Sequence, residues 1–267
     1  MNHFSPLRRR ARHWGQHFLT DQTVLDGIMA SADLKNNDIV LEIGPGKGVL
    51  TRHLLATGAQ VVAIERDPRL VNVLTTQFQD GPRLRLVQGD ALRVDWQALG
   101  LVDRGYVVVA NIPYSITTPL IEKILVDPRP LWAQLMIQKD VALRLMARPG
   151  DPDRGALSVI VQEAFDVRYL LTVGRDAFEP PPAVESAVIR LDPRSSGAVD
   201  PRYRDFVQRA FRHRRKFLVS GLKQAYPRVD WVHLFEQTGI VMTIRPQELT
   251  NEHWKKLYSH LMESLDH

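Results

Sequence analysis

Short apolar runs, rich in β-branched residues, alternate with segments of helical spacing along the first two thirds of the chain. The runs predict buried strands at residues 39–44, 61–65, 84–88, 106–111, 134–138, 158–167 and 185–191. Apolar positions three and four residues apart predict helices at 49–58 and 68–79. This alternation predicts an α/β protein with a doubly wound, Rossmann-like parallel sheet. Because no long helix separates the last two strands, we expect them to pair antiparallel at its edge.

The pattern changes at residues 191–203, LDPRSSGAVDPRY, which are rich in Pro, Ser and Gly and lack a period. Beyond them the strand signals stop, and helical patterns occupy residues 203–225, 230–239 and 251–265. We therefore expect a large α/β domain over residues 1–192 and a small helical domain over residues 200–267.

Positive charge is concentrated at the two ends of the chain. The net charge is +5, with +4 from residues 1–20 and +4 from residues 200–267, which leaves the centre at −3. Clustered Lys and Arg are typical of a polyanion partner, because phosphates release counterions when they bind them. Solvated basic faces would give the same pattern, and charge alone leaves both interpretations open.

Composition excludes several classes of protein. The absence of cysteine excludes disulfides and thiolate metal sites and favours a reducing, cytoplasmic location. The histidines show no ligand cluster, so we expect no metal. No apolar run reaches 18 residues, and the N-terminus does not resemble a signal peptide, so we expect no membrane association. Nothing in the sequence requires more than a monomer.

A glycine-rich segment, LEIGPGKGVL, follows the first predicted strand, where doubly wound sheets bind ligands. Gly44 and Gly46 fit the dinucleotide pattern G-x-G-x-x-G, but its third position falls on Val49. Pro45 removes a backbone N–H that a pyrophosphate would use. The loop therefore favours a nucleoside ligand that needs close backbone approach and no phosphate cradle.

Acidic residues follow the next two predicted strands. Glu65, twenty-one residues after Gly44, can accept both hydroxyls of a ribose. Asp90, in VQGDAL, can accept from an adenine amine. Each alone is commonly a helix cap. Together with the glycine loop they predict S-adenosylmethionine, a nucleoside that carries an amino acid and no phosphate.

The fourth predicted strand ends in Asn-Ile-Pro-Tyr, residues 111–114. The amide oxygen of Asn111 and the carbonyl of Ile112 can each accept one N–H of an exocyclic base amine, which aims the nitrogen lone pair at a methyl donor. Pro113 stiffens the turn, and Tyr114 can stack on the base. A strand-terminating turn would explain the tetrapeptide alone, but beside the cofactor-type residues we interpret it as a clamp for a base amine.

Phe178 precedes three prolines in the segment DAFEPPPAVESAVIRL. A rigid proline loop can present an aromatic ring over a flipped base. A core phenylalanine beside a stiff linker is an equally good interpretation.

These segments resemble the small-subunit (16S) ribosomal RNA adenine N6-dimethyltransferases of the KsgA/Dim type. The resemblance covers nearly the whole chain and includes GQHFL (15–19), EIGPGKGVLT (42–51), NIPYSITTP (111–119), FEPPPAVESAVIRL (178–191) and AFRHRRKFL (210–218). It implies an S-adenosylmethionine-dependent catalytic domain over residues 1–192. It further implies methylation of N6 on two adjacent adenosines in the 3′-terminal hairpin loop of the small-subunit rRNA, with two methyl groups on each and a role in small-subunit biogenesis.

The resemblance also implies roles for individual residues. The target adenine would lie between Tyr114 and Phe178. The family's cofactor contacts fall on His17, Leu19, Gly44, Glu65, Asp90 and Asn111. The family usually has Gln-Asn-Phe-Leu where this chain has Gln-His-Phe-Leu, so the contact at His17 is less secure than the others.

The helical tail carries a basic face. On a helical wheel for residues 203–225, one arc holds the apolar Phe206, Val207, Ala210, Phe211, Phe217 and Leu218. The opposite arc holds the cations Arg204, Arg209, Arg212, Arg215, Lys216 and Lys223. Six cations without an interleaved acid are unusual for a solvated face. We therefore expect Arg204, Arg212, Arg215, Lys216 and Lys223 to bind the rRNA of a pre-30S particle, with RRRAR at residues 8–12 as a second contact.

Three other classes compete with this interpretation. An erythromycin-resistance (Erm) methylase of large-subunit rRNA shares the core chemistry, but FRHRRKFL and IRPQELT fit the small-subunit family better. A non-catalytic ribosome-assembly factor would not need the complete set of cofactor-type residues. A DNA adenine methylase has Pro where this chain has Ile112 in the clamp motif.

Overall fold

The computed structural model describes residues 17–79, 81–126, 128–194 and 199–265. The chain divides into two compact units. The first contains the described residues up to Ala142 together with Arg168–Pro193, and the second contains Leu143–Val167 together with the described residues from Arg194 onward. Residues 143–167 thus group with the tail helices, although the sequence pattern placed them in the domain 1–192. The basic segment 8–12 lies outside the described residues.

A seven-stranded sheet within the described ranges has the order β4-β3-β2-β5-β6-β9-β7, and all of it belongs to the first unit except residues 165–167 of β7. Its strands are β2 (Ile39–Ile43), β3 (Gln60–Glu65), β4 (Leu84–Gln88), β5 (Val107–Asn111), β6 (Ala133–Gln138), β7 (Phe165–Val173) and β9 (Ser186–Pro193). Two short strands, β1 (Phe18–Leu19) and β8 (Phe178–Glu179), form a separate antiparallel pair. The helices of the first unit are α1 (Gln22–Ala32), α2 (Val49–Ala56), α3 (Pro68–Gln77) and α4 (Thr117–Ile124), and helix α5 (Lys139–Met146) begins in the first unit and ends in the second.

The central strands are parallel and nearly continuous in apolar residues. β2 pairs in parallel with β3 and β5, β3 pairs with β4, and β5 pairs with β6. Strands buried on both faces need such apolar runs, which explains why the sequence signal was clear. The edge is mixed, because β9 runs antiparallel to β6, and β7 is the neighbour of β9. The predicted α/β fold is confirmed, and the carboxyl ends of β2 to β5 meet along one edge of the sheet.

The second unit is helical. Its helices are α6 (Ala156–Ala164), α7 (Pro201–Phe211), α8 (Leu218–Ala225), α9 (Trp231–Thr238) and α10 (Asn251–Leu265). The Phe206 ring lies 5.7 Å from the rings of both Trp254 and Tyr258, measured between centroids. These aromatic contacts bury the apolar faces of α7 and α10 against each other. Across the described residues of both units, no helix has the length and apolar character needed to cross a membrane.

The strand predicted over residues 158–167 is wrong. Residues 156–164 form the helix α6, and the strand β7 begins only at Phe165. The helix starts after Gly155, whose N–H donates to the hydroxyl oxygen of Ser158 at 3.0 Å. Val159, Ile160 and Val161 are all buried. A helix that is buried on every side has no amphipathic period, so its sequence resembles that of a buried strand.

The continuous helix predicted over residues 203–225 is also wrong. Helix α7 ends at Phe211, residues 212–217 form an exposed turn, and α8 begins at Leu218. The Leu218 N–H donates to the carbonyl of Ile244 at 2.8 Å. A continuous helix would crowd the cations of RHRRK along one segment without an acid to offset them. Because the helical wheel assumes one continuous helix, it places Phe217 in the core. In the structure Phe217 lies in the turn, and 47% of this residue is exposed.

Candidate active site

The glycine loop after β2 approaches two other segments closely. Gly44 and Gly46 have φ values of +68° and +61°, which favour glycine. The Gly44 N–H donates to the carbonyl of Ile64 at 2.9 Å, which ties the loop to β3. A Cβ on Gly44 would lie 3.5 Å from the ring of Pro113, and one on Gly46 would lie 3.1 Å from the ring of Phe18. The loop is therefore enclosed between the Asn-Ile-Pro-Tyr motif and β1.

Glu65, the last residue of β3, is bound to this loop. Its Oε2 accepts from the Gly46 N–H at 3.2 Å, and its Oε1 accepts from the Asp67 N–H at 2.8 Å. Burial raises the pKa of Glu65, and the backbone N–H donors of Asp67, Gly46 and Arg66 oppose that shift. Each carboxylate oxygen has a second lone pair, so the side chain can still accept from the hydroxyls of a ligand.

Glu42 is a second buried carboxyl group, which the sequence analysis did not select. It belongs to β2, is 1% exposed and accepts from the Thr51 hydroxyl at 2.7 Å. Burial, together with the nearby Glu65, raises the pKa of Glu42 to about 8, against the effect of the Thr51 hydrogen bond. Its side chain lines the same cleft as Glu65. The signal was present in the sequence, because a glutamate inside an apolar strand is rarely buried without a reason.

The Asn-Ile-Pro-Tyr motif begins at the last residue of β5, beside the glycine loop. Asn111 lies opposite Met136 of β6, and the Ile112 N–H donates to the Met136 carbonyl at 3.0 Å. The Asn111 side chain lines the cleft and makes no hydrogen bond within the described residues. The Tyr114 hydroxyl lies 2.6 Å from the Ser186 hydroxyl, and burial raises the pKa of Tyr114. The motif therefore presents an amide, whose hydrogen-bonding groups are available to a ligand, and a neutral phenol.

The short strand pair brings two predicted residues together. Leu19 of β1 lies opposite Phe178 of β8, and both side chains line the cleft. Phe178 is only 3% exposed and belongs to the hydrophobic core of the first unit. Phe178 is therefore both a core residue and part of the cleft lining, and its contact with a target base stays a prediction.

His17 lies beside Tyr114. Its Nδ1 donates to the carbonyl of Pro180 at 2.7 Å, and its ring stacks on Tyr114 with 5.8 Å between centroids and 27° between planes. His17 also lines the cleft. Because Nδ1 is occupied by Pro180, a cofactor contact from this side chain would have to use Nε2 or the ring face.

Asp90 is placed differently from the other predicted cofactor residues. Its Oδ1 accepts from the Leu92 N–H at 3.0 Å, and its Oδ2 lies 3.9 Å from the guanidinium of Arg66. It follows β4 at the same edge of the sheet, but it lies beyond the residues that line the cleft around Glu65. Its predicted contact with an adenine amine stays a prediction.

The cleft brings together eight of the predicted site residues. It is lined by the predicted residues His17, Leu19, Gly44, Gly46, Glu65, Asn111, Tyr114 and Phe178. Gly46 leaves room where a Cβ would crowd the Phe18 ring. Glu42, Glu65 and Lys47 also line it, and the ammonium of Lys47 lies over the Phe18 ring, 4.6 Å from its centroid. A positively charged ligand would favour the ionised forms of the two carboxyl groups. Among the described residues, no group of three or more His, Asp or Glu side chains could hold a metal ion.

Three of the five predicted RNA-binding residues, Arg212, Arg215 and Lys216, lie in the turn after α7. Residues 212–216, RHRRK, are all exposed, and so is Lys223 on α8. Arg204 is half-buried on α7, and its buried Nε has no hydrogen-bond partner in the described part of the chain. The predicted RNA-binding residues thus do not share one helical face.

Comparisons with known proteins identify the family. A family model described as Ribosomal RNA adenine dimethylase matches residues 8–263. A Ribosomal RNA small subunit methyltransferase A from Synechococcus sp. (strain WH7803) is 41% identical over 260 residues, which cover 92% of each chain. A protein of the same name from Clostridium acetobutylicum is 38% identical over 257 residues, covering 93% of this chain and 92% of that protein.

Solved structures agree with these relatives. A dimethyladenosine transferase from Plasmodium falciparum superposes with a TM-score of 0.79 at 28% identity, covering 93% of this chain and 98% of that chain. The 23S rRNA methyltransferase ErmE superposes with a TM-score of 0.69, also at 28% identity, covering 92% of this chain and 99% of that chain. The resemblance seen in the sequence motifs is confirmed: the chain belongs to the ribosomal RNA adenine dimethylase family.

Proposed function

We propose that the protein transfers methyl groups from S-adenosylmethionine to N6 of two adjacent adenosines in the 3′-terminal hairpin loop of small-subunit (16S) rRNA, and that each adenosine becomes N6,N6-dimethyladenosine. The names of the relatives support the small subunit as substrate. The observation that carries the proposal is the position of Asn111 and Tyr114 in the same cleft as the glycine loop and Glu65. An amine acceptor and a nucleoside methyl donor would meet there.

The residues of the cleft, together with Asp90 beyond its lining, would divide between the two ligands. Gly44 and Gly46 allow the cofactor to approach the backbone, the free lone pairs of Glu65 accept from its ribose hydroxyls, and Asp90 accepts from its adenine amine. When bound, S-adenosylmethionine supplies an electrophilic methyl group on a cationic sulfur. His17 and Leu19 close this part of the cleft from the side of β1.

The clamp residues orient the acceptor amine. The amide oxygen of Asn111 and the carbonyl of Ile112 each accept one N–H, which moves the nitrogen lone pair out of conjugation with the ring and toward the methyl group. The nitrogen would gain the methyl group as the C–S bond breaks with its electron pair left on sulfur, and it would then lose a proton to solvent, so no strong base is required. In the second transfer only one N–H remains, and one of the two acceptors would hold it. Tyr114 stacks on the adenine, a contact worth about 1–3 kcal/mol. Rate enhancement rests on orientation and on preorganised dipoles.

Binding of the rRNA depends on the second unit. We propose that Arg212, Arg215 and Lys216 in the turn after α7 contact phosphates, together with Lys223 and Arg204. The exposure of the turn supports this role, because an exposed cation reaches a phosphate without first breaking a buried contact. The substrate would be a pre-30S particle in the cytoplasm, and the protein would act as a monomer.

A methyl-transfer assay on ribosomal subunits tests the proposal. Purified protein is incubated with S-adenosylmethionine labelled in its methyl group and with small or large subunits from cells that lack these modifications. We expect labelled N6,N6-dimethyladenosine at the paired adenines of the small-subunit 3′ hairpin, and none with Asn111→Ala. Label in the large subunit would indicate an Erm-type activity instead. Cofactor binding without label in either subunit would favour a non-catalytic assembly factor.

A further inference from the structure

The Tyr114 ring is held by residues outside its own motif. Ser186, the first residue of β9, is fully buried and lies opposite Gln138 of β6. Its hydroxyl is 2.6 Å from the Tyr114 hydroxyl, and either oxygen can be the donor. Since Ser186 belongs to the rigid central sheet, this bond fixes the far end of the phenol to a stable part of the molecule.

A second contact restrains the face of the same ring. His17 stacks on Tyr114 and is itself fixed by the hydrogen bond from Nδ1 to the carbonyl of Pro180. Pro180 and Ser186 belong to the same segment, which leads from β8 into β9. That segment therefore holds Tyr114 directly through Ser186 and indirectly through His17.

We propose that Ser186 is a positioning residue for methyl transfer, and that its hydroxyl sets the orientation of the Tyr114 ring against the target base. This inference rests on the proposed stacking role of Tyr114. Base stacking requires the ring plane at a fixed height and tilt, and a phenol anchored only at its Cβ can rotate away from that plane. A positioned ring would favour the productive geometry of the amine and would thus act on the chemical step.

A purely structural role for Ser186 predicts different behaviour. In that case the hydroxyl would only satisfy a buried polar group, and its loss would lower stability without changing the orientation of a bound base. The two roles differ in what the loss of the hydrogen bond changes: kcat and base stacking in the first case, and thermal stability alone in the second. Ser186→Ala and Tyr114→Phe each remove this bond, one from each side.

A double-mutant cycle tests the proposal. Wild type, Ser186→Ala, Tyr114→Phe and the double variant are compared for kcat and KM with small subunits, for the Kd of S-adenosylmethionine and for thermal stability. We expect each single variant to lower kcat roughly five- to tenfold, the effect of losing one hydrogen bond, with little change in KM or cofactor Kd. The double variant should be no worse than either single variant, because both remove one interaction.

A fluorescence measurement reports the stacking itself. An RNA hairpin with 2-aminopurine at the target position should be quenched by wild type and less quenched by Ser186→Ala at saturating protein. Additive losses in the double variant, unchanged kcat in both single variants, or equal quenching by wild type and Ser186→Ala would overturn the proposal. If wild type itself neither methylates nor quenches, the proposed function fails and the positioning role fails with it.

Discussion

The buried carboxyl group of Glu42 predicts a pH dependence of stability that one isosteric substitution should remove. In the folded protein burial raises its pKa to about 8, from an ordinary value of 4.5. Well below pH 4.5 the carboxyl group is protonated in both the folded and the unfolded chain, so its raised pKa does not lower the free energy of unfolding. As the pH rises, the unfolded chain releases its proton first, so the folded state loses stability until the pH passes the folded pKa of about 8.

The size of the effect follows from the two pKa values. Their difference corresponds to roughly 5 kcal/mol in the free energy of unfolding, and about 4 kcal/mol of this is lost between pH 5 and pH 9. Glu42→Gln has the same shape, cannot ionise and still offers an oxygen to the Thr51 hydroxyl. The variant should therefore match wild type closely at pH 5 and exceed it in stability at pH 9.

Thermal unfolding at pH 5, 7 and 9 measures this difference. At about 2–4 °C per kcal/mol, the melting temperature of Glu42→Gln should exceed that of wild type by about 10 °C at pH 9. Glu252→Gln, which changes an exposed carboxylate at the start of α10, controls for the change in net charge. The reasoning would be refuted if the melting temperatures of wild type and Glu42→Gln differed by the same amount at pH 5, 7 and 9. That result would mean that Glu42 ionises in the folded state at no cost in stability.

Three variants test the ligand contacts. Asn111→Ala should reduce methyl transfer about a hundred- to a thousandfold, on the scale of a missing transition-state donor or acceptor, while calorimetry shows cofactor binding largely intact; substantial turnover would exclude the amine clamp. Glu65→Ala should weaken cofactor binding about tenfold or more, because the hydroxyl acceptor is removed; an unchanged Kd would remove Glu65 from the ribose site. Reversal of Arg212, Arg215 and Lys216 to Glu should weaken RNA binding and reduce its salt slope by about 0.7 for each phosphate that the variant no longer binds; an unchanged slope in a filter-binding titration would mean that the turn is only solvated.

The parts of the fold that the sequence predicted are those where local pattern and tertiary environment agree. β2, β3 and β5 are short, buried strands of mainly apolar residues, and helix α10 has the same limits, 251–265, in the prediction and in the structure. A parallel strand covered on both faces must be apolar throughout, and an amphipathic surface helix must show its period. The glycine loop could also be predicted from the sequence, because positive φ values favour glycine at those positions.

The errors arose where the environment overrides local pattern. The apolar residues of α6 are buried on all sides, so nothing in their spacing distinguished a helix from a strand. The break at residues 212–217 follows from long-range contacts such as that of Leu218 with Ile244, which no local window contains. The pairing of β1 with β8 joins residues about 160 positions apart, and neither strand is longer than two residues.

The Asn-Ile-Pro-Tyr motif shows why candidate site residues are easier to predict than the contacts that hold them in place. Its chemistry could be read from residue types alone, since an amide, a carbonyl and an aromatic ring at a strand end suffice for a planar amine. Its geometry depends on the close approach of Pro113 to Gly44 and on the bond from Tyr114 to Ser186, which join segments distant in sequence. A turn of the same sequence without those two contacts would keep the amide but leave the ring free to rotate. The geometry of the proposed clamp therefore depends on the sheet edge as a whole, and we expect substitutions at Gly44 or Ser186 to act on catalysis through Tyr114 and its neighbours.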